Sequence, residues 1–204
     1  MNGMTKKIFV AGLGLALVLG GSVLRASPES EAAFVNAKAR WDQESAKFEF
    51  EKKSARGRHD KSLLVSYLRQ WPRAGNSDQA FLMLIEDGFC ATWAGYPDCG
   101  VIEISAYEQF LSAFPTSEMA EQVKYKMAED YYQMAWLWTN GKGVHNERYA
   151  DLFRAQCLTL CRELKDAKDP AVKAAAAGLE LKTQNNFSRP IAPMPPRVLQ
   201  PDYY

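Results

Sequence analysis

The chain contains 204 residues, of which 47% are hydrophobic and 24% are charged, and these values are ordinary for a folded globular protein. Composition therefore excludes wholesale disorder and a membrane protein with many spans. With 25 basic and 24 acidic residues the formal net charge at pH 7 is +1, so no long-range field recruits nucleic acid, anionic lipid or a strongly charged substrate.

Residues 1–26 predict a signal peptide. Two consecutive lysines precede an uncharged run over residues 8–24, and a basic segment followed by an apolar one directs export across a bacterial inner membrane. Ala26 favours cleavage directly after it, and cleavage after Ser22 also fits. An uncleaved anchor is the alternative, because the run reaches the lower length limit of a membrane-spanning helix. We therefore expect a periplasmic protein that contacts a membrane only if this segment is retained.

Four cysteines acquire a structural meaning from the predicted export, because disulfides persist in the periplasm. Three pairings are possible. We favour Cys90 with Cys99, since a glycine and a proline between them let the chain fold back. Cys157 and Cys161 lie four residues apart on one face of a predicted helix and are expected to be buried thiols. A zinc site of all four thiolates is the alternative, but neither pair has the C-x2-C spacing that is typical of zinc ligands. Redox catalysis is not favoured either, because the sequence contains no C-x-x-C motif.

Residues 27–184 predict an all-α domain, because long segments carry helical periodicity and strand-like alternation does not persist. The first helix is predicted to begin with Ser27 as N-cap and Pro28 at the first helical position, and to run toward Ser54. This long helix precedes the repeated part of the chain.

An apolar stripe recurs every seven residues along this first helix, at Phe34, Trp41 and Phe48. We expect the stripe to pack on the neighbouring helix. The alternative is a coiled-coil stripe, which would make the protein a self-associating structural subunit and a homo-oligomer.

A pattern of helix, aromatic residue, proline turn and returning helix occurs twice, 43 residues apart, at Trp71-Pro72 and at Phe114-Pro115. The proline stops the first helix, and a small residue five positions later lets the returning helix approach closely. One apolar face is predicted on the helix before the first corner, composed of Leu63, Leu64, Tyr67, Leu68 and Trp71. The helix that returns from this corner is predicted from about Ser77 to Trp93.

A third, divergent unit follows the two copies. Its first helix carries Tyr149, Leu152, Phe153, Leu158, Leu160 and Leu164, and Asp169-Pro170 is predicted to cap a second helix that runs to about Lys182. Helical hairpins that repeat in sequence bury their apolar faces by stacking. The sequence thus predicts a short α-solenoid of about three hairpins, preceded by one long N-terminal helix.

Residues 106–120, which read AYEQFLSAFPTSEMA, resemble the start of a tetratricopeptide unit that continues through Val123 to Ala135. More narrowly, this stretch is similar to the periplasmic subfamily that contains the tetratricopeptide lipoprotein of the outer-membrane β-barrel assembly machinery. The resemblance spans about residues 60–135, with a looser fit to Lys182. It implies a right-handed solenoid whose concave face scaffolds other proteins at the inner side of the outer membrane.

Residues 132–144 also resemble the hairpin loop of Sel1-type repeats, which belong to the same superfamily of α-solenoids. Gly141 and Gly143 are expected to supply the positive φ angles that end one helix and turn into the next.

The inventory of reactive groups is small and favours a protein that is not an enzyme and has no metal or cofactor. Only two histidines are present, His59 in a polar break and His145 in a glycine-rich turn, and both are expected to be solvated. The acidic pairs at residues 86–87 and 129–130 recur at the 43-residue shift and are likewise predicted to be solvated.

Aromatic side chains provide the candidate binding groove, because Trp and Tyr anchor protein interfaces. The candidates are Trp93, Tyr96, Tyr131, Trp136 and Trp138. Trp136 and Trp138 cannot share one helix face, so at least one of these aromatic residues is expected to reach the surface. Tyr125 and Tyr132 are expected in the core.

Residues 185–204 contain five prolines and predict a tail without a fixed fold. The function expected from the whole sequence is a periplasmic scaffold that binds an envelope protein or a peptide segment, associated with the outer membrane. The alternatives are the self-associating subunit described above and an accessory of a peptidoglycan-remodelling enzyme.

Overall fold

The computed structural model describes residues 27–51, 59–88, 97–141 and 145–187, and every structural statement below concerns these residues. Within them the chain forms seven α-helices and one 3-10 turn, with no strand, so the predicted all-α class is confirmed. The helices are α1 (Pro28–Phe50), α2 (Ser62–Gln70), α3 (Ser77–Asp87), α4 (Pro97–Ala113), α5 (Ala120–Asn140), α6 (Glu147–Glu163) and α7 (Pro170–Asn185). None of these helices is both long and apolar enough to cross a membrane.

The start of α1 follows the predicted cap. The Ser30 amide donates to Ser27 Oγ at 3.1 Å and the Ser27 amide donates to Ser30 Oγ at 2.9 Å, which forms a reciprocal capping box. Phe34 is buried, and its ring centroid lies 5.5 Å from that of Tyr67 on α2. The start of the α1 stripe therefore packs on α2, as predicted for a stripe that faces the neighbouring helix.

The first proline corner closes α2 and opens α3 through three backbone hydrogen bonds. The Trp71 amide donates to the Tyr67 carbonyl at 2.8 Å, the Ala74 amide to Trp71 at 3.4 Å and the Ser77 amide to Ala74 at 3.0 Å. Leu64, Tyr67 and Leu68 of α2 are buried, as predicted.

Leu63 is a correction to the predicted apolar face of α2, because 38% of its surface is exposed. Adjacent residues on a helix are about 100° apart, so the burial of Leu64 directs Leu63 toward solvent.

The second proline corner repeats the first with a shift of 43 residues. The Phe114 amide donates to the Phe110 carbonyl at 2.8 Å, the Ser117 amide to Phe114 at 3.1 Å and the Ala120 amide to Ser117 at 3.0 Å. The sequence repeat thus corresponds to one turn geometry used twice. The two corners also touch, since Ser117 Oγ donates to Asp78 Oδ2 at 2.7 Å.

The end of α3 differs from the prediction that this helix would continue to Trp93. Gly88 follows the helix with φ 82° and ψ 157°, a region that is essentially restricted to glycine. A backbone in that conformation cannot continue a helix, so α3 ends at Asp87.

The third unit consists of α6 and α7. Asn146 Oδ1 accepts hydrogen bonds from the amides of Arg148 and Tyr149, and Asp169 caps α7 by accepting from the Ala171 amide at 2.8 Å. The predicted cap at Asp169-Pro170 is therefore confirmed.

The packing continues past the end of α7. Asn186 Nδ2 donates to the Tyr132 hydroxyl at 2.8 Å, and the buried Phe187 ring lies 5.9 Å from the Tyr132 ring. Tyr132 is thus a core residue, as predicted, and most of the expected proline-rich tail (188–204) lies outside the described residues.

Each helix packs on the next one in the chain, and α5 also packs on α7. The largest apolar cluster extends from α3 to Phe187, a second cluster joins α1, α2 and α3, and Phe81 packs against both. A third, smaller cluster joins Leu164 with Val172 and Ala176 of α7.

Candidate functional site

The structure separates the residues of the predicted aromatic groove. Tyr131 and Trp138 are buried in the core, whereas Trp136 on the same helix has 51% of its surface exposed. The prediction that the two tryptophans point to different faces is confirmed. Trp93 and Tyr96 lie outside the described residues. Of the three groove candidates that the structure describes, Trp136 is therefore the exposed one.

Neighbouring side chains hold both buried aromatic residues. The Trp138 ring lies 5.0 Å from Tyr149, and the Tyr131 hydroxyl donates to Glu108 Oε1 at 3.3 Å. Burial, reinforced by the nearby Glu108 carboxylate, raises the pKa of Tyr131 well above its ordinary value. Burial and a hydrogen bond to Glu129 likewise raise the pKa of Tyr125 to about 12. These tyrosines are neutral packing groups at physiological pH.

His59 occupies a different environment from the solvated position predicted for it. Its side chain is 5% exposed and its ring stacks on Trp41, with ring centroids 4.0 Å apart and planes inclined by 3°. The edge of Phe48 lies 5.4 Å away at 87°. The imidazole thus covers the C-terminal part of the α1 stripe. The prediction of a solvated His59 is wrong.

Both nitrogens of His59 have partners from distant parts of the chain. Nδ1 lies 2.6 Å from Asp87 Oδ1 at the end of α3, and Nε2 lies 2.8 Å from Ser45 Oγ on α1. A carboxylate oxygen can only accept, so the neutral imidazole carries its proton on Nδ1. Nε2 then accepts a hydrogen bond from the Ser45 hydroxyl. The three side chains form a continuous chain from hydroxyl to carboxylate.

The prediction of a solvated Asp87 is also wrong, because its side chain is fully buried. Its other oxygen, Oδ2, forms an ion pair with Lys61 Nζ at 2.8 Å, and Nζ also donates to the Gly88 carbonyl at 2.9 Å. One lysine therefore neutralises the buried carboxylate and bonds a carbonyl at the end of α3.

A shallow depression of about 390 Å³ lies beside this cluster, lined by Arg40, Gln43, Glu44, Lys47, Phe48 and Asp60. Glu44 connects its two walls, since Oε2 accepts from the Asp60 amide at 2.8 Å and Oε1 pairs with Arg40 Nε at 3.0 Å. Hydrogen bonds from Ser62 lower the pKa of Asp60. The lining carries both signs of charge and therefore favours neither a cation nor an anion.

Cys157 and Cys161 are buried free thiols, as predicted. Cys157 Sγ lies 3.3 Å from Thr183 Oγ1, and the hydrogen bond between the two thiols lowers the pKa of Cys157 and raises that of Cys161. Within the described ranges no three His, Cys, Asp or Glu side chains are grouped as metal ligands. Cys90 lies outside those ranges, so the Cys90–Cys99 disulfide stays a prediction.

The glycine-rich turn gives one confirmation and one correction. His145 is exposed, with 59% of its side chain accessible, as predicted. Gly141 has φ −70°, an angle that any residue adopts, so the positive φ expected there is wrong. Gly143 lies outside the described residues.

Sequence reasoning missed the group of Ser45, His59 and Asp87 because its members come from three separate elements. The available signal was the position of Ser45 on the same face of α1 as Trp41 and Phe48. His59 and Asp87 have no partner nearby in the sequence, so nothing else in the sequence indicated that they would meet Ser45.

No protein-family model, curated protein or solved structure matches this chain.

Proposed function

We propose that this protein is a periplasmic α-solenoid scaffold of the tetratricopeptide type that binds another envelope protein or a peptide segment, in support of outer-membrane assembly. The observation that carries the proposal is the repetition of the proline corner. The hydrogen bonds that follow Tyr67 recur after Phe110, and the two corners contact each other through Asp78 and Ser117.

The order of helix packing supports the same proposal. Every helix packs on its successor, and α5 also packs on α7, so the second helices of two adjacent hairpins are in contact. Arrays in which each unit contacts only its neighbours leave long faces open to a partner. Such faces bind extended or helical segments of other proteins.

Exposed apolar side chains on the middle hairpin support a protein partner. Trp136 on α5 is 51% exposed, and Val101 and Ile102 on α4 are also exposed. Large aromatic residues at the surface contribute most to the free energy of protein interfaces. The depression beside α1, by contrast, is small and carries mixed charge.

The alternative of self-association through the α1 stripe receives less support. Phe34 is buried against Tyr67, while Trp41 and Phe48 contact His59. A coiled coil formed through these side chains would have to break those contacts. The particle mass with and without residues 27–55 distinguishes this alternative from a monomeric scaffold.

Site-specific photo-cross-linking in intact cells tests the proposal. A photoreactive phenylalanine analogue replaces Trp136 on α5, and the matched control replaces Leu181 on α7, which is 60% exposed. We expect a discrete adduct with one envelope protein from position 136 only. Equal labelling from both positions, or adducts that contain only a second copy of this chain, would contradict the proposal.

A further inference from the structure

We propose that Ser45, His59 and Asp87 form a nucleophilic relay, in which the Ser45 hydroxyl accepts an acyl group from esters with good leaving groups. This inference is independent of the scaffold function and concerns a separate part of the chain. The relay lies between α1 and the C-terminal end of α3, whereas the proposed interaction surface lies on α4 and α5.

The first step of the argument is the geometry of the proton path. The distances of 2.8 Å from Ser45 Oγ to His59 Nε2 and 2.6 Å from Nδ1 to Asp87 Oδ1 are both hydrogen-bond distances. With Asp87 accepting from Nδ1, the Nε2 lone pair faces the hydroxyl and can take its proton. This is the order of hydroxyl, imidazole and carboxylate in which a histidine acts as the base for a serine nucleophile.

The second step is the rigidity of the imidazole. Trp41 stacks on one face of the ring, with centroids 4.0 Å apart, and Phe48 contacts it edge-on, so both contacts oppose rotation of the ring away from Ser45. Asp87 is in turn held by Lys61, whose ammonium group compensates the buried carboxylate. Trp41 and Lys61 act as positioning residues, because they contact members of the relay and not the reacting bond.

The third step is the state of the Ser45 hydroxyl. A serine in the middle of a helix commonly donates back to the carbonyl four residues earlier. Ser45 Oγ instead bonds His59 Nε2, and Ser45 as a whole is only half-buried, so the hydroxyl is engaged with a base at a position that is not enclosed in the core. Ser30, also on α1, is buried and used in the cap.

The reaction follows from these positions. Ser45 Oγ attacks the carbonyl carbon of an ester while its proton passes to His59 Nε2. The bond between the carbonyl carbon and the leaving oxygen then breaks, and the proton moves from Nε2 to that oxygen, which departs as an alcohol. Water, activated by the same nitrogen, hydrolyses the acyl-serine and regenerates the hydroxyl. No oxidant or further reactant is required.

The helix that carries Ser45 also limits the rate. Backbone amides inside α1 donate to carbonyls of the preceding turn, so they do not point at a developing oxyanion. In serine enzymes, the loss of one hydrogen-bond donor to the oxyanion lowers the rate by on the order of 100- to 1,000-fold. We therefore expect esters with good leaving groups to acylate Ser45 and simple alkyl esters to react far more slowly.

The test uses the full-length chain with two probes, a fluorophosphonate and p-nitrophenyl acetate. We expect one equivalent of fluorophosphonate on the peptide that contains Ser45, and a burst of one equivalent of p-nitrophenol followed by slow turnover. Ser45→Ala should remove the adduct and the burst. The matched control Ser105→Ala changes an exposed serine on α4 and should leave both unchanged.

The role of the base is tested by His59→Gln, which should slow labelling by about 100-fold or more. Because this variant can loosen α1, circular dichroism must show that it remains helical. The wild-type protein alone can overturn the proposal. If folded wild-type protein gains no adduct at Ser45, or if adducts are spread evenly over exposed serines, the three side chains are only a structural clamp.

Discussion

The ring of Phe81 on α3 lies 6.1 Å from the ring of Phe114, the residue that precedes the proline of the second corner. Phe81 also lies 6.2 Å from Phe110 and packs against the second apolar cluster, which joins α1, α2 and α3. One side chain therefore joins two consecutive hairpins. The first prediction follows from this joint.

Phe110→Ala should lower the free energy of unfolding by about 3 to 5 kcal/mol, because it leaves a cavity in the joint where Phe110 is fully buried. Urea denaturation followed by circular dichroism measures the change. Phe50→Ala is the control, since Phe50 is 89% exposed and its loss should cost less than about 0.5 kcal/mol. Equal effects of the two substitutions would contradict the packing described for the hairpins.

Asp87→Asn should destabilise the protein by about 3 kcal/mol, the lower end of the range for breaking a buried ion pair, because Lys61 is partly exposed. The neutral amide cannot balance the positive charge of Lys61, and it accepts a weaker hydrogen bond from His59 than the carboxylate does. Glu86→Gln is the matched control at the adjacent, exposed position and should change stability by less than about 0.5 kcal/mol. A loss for Asp87→Asn as small as the one expected for Glu86→Gln would show that Asp87 is solvated, as the sequence alone suggested.

Two glycines should respond in opposite directions to substitution by alanine. Gly88→Ala places a β-carbon at φ 82° and should cost roughly 1 to 3 kcal/mol. Gly178→Ala lies inside α7, where the new methyl group meets no atom within 4 Å, and should stabilise by about 0.5 to 1 kcal/mol. Thermal unfolding of the two variants measures both signs. A neutral Gly88→Ala would contradict the backbone described at the end of α3.

Stability should decrease above about pH 10 because of Tyr125, whose pKa in the folded chain is about 12. Between its ordinary pKa near 10 and this raised value, the unfolded chain releases the phenolic proton while the folded chain retains it. The folded state then binds more protons, so the free energy of unfolding falls as pH rises. Tyr125→Phe should make this dependence shallower in urea titrations at several pH values. An unchanged slope would contradict the environment described for Tyr125.

Features that depend on neighbouring residues could be predicted from the sequence. The capping box at Ser27, the cap at Asp169 and the two proline corners are made by side chains and amides within a few residues of one another. Their physical cause is local, because a proline or a capping oxygen acts on the same turn in which it stands. The burial of Cys157 and Cys161 followed from helical spacing in the same way.

Features that depend on distant residues were decided only by the tertiary structure. His59 bonds Ser45 from 14 residues away and Asp87 from 28 residues away. A histidine in a polar segment and an acid at the end of a helix both appear solvated until α1 and α3 are placed beside each other. Burial and ion pairing are properties of the assembled helices, since they depend on which surfaces exclude water together. The sequence by itself determined the all-α class, the helix caps and the two proline corners, while tertiary packing decided that Ser45, His59 and Asp87 meet between α1 and α3.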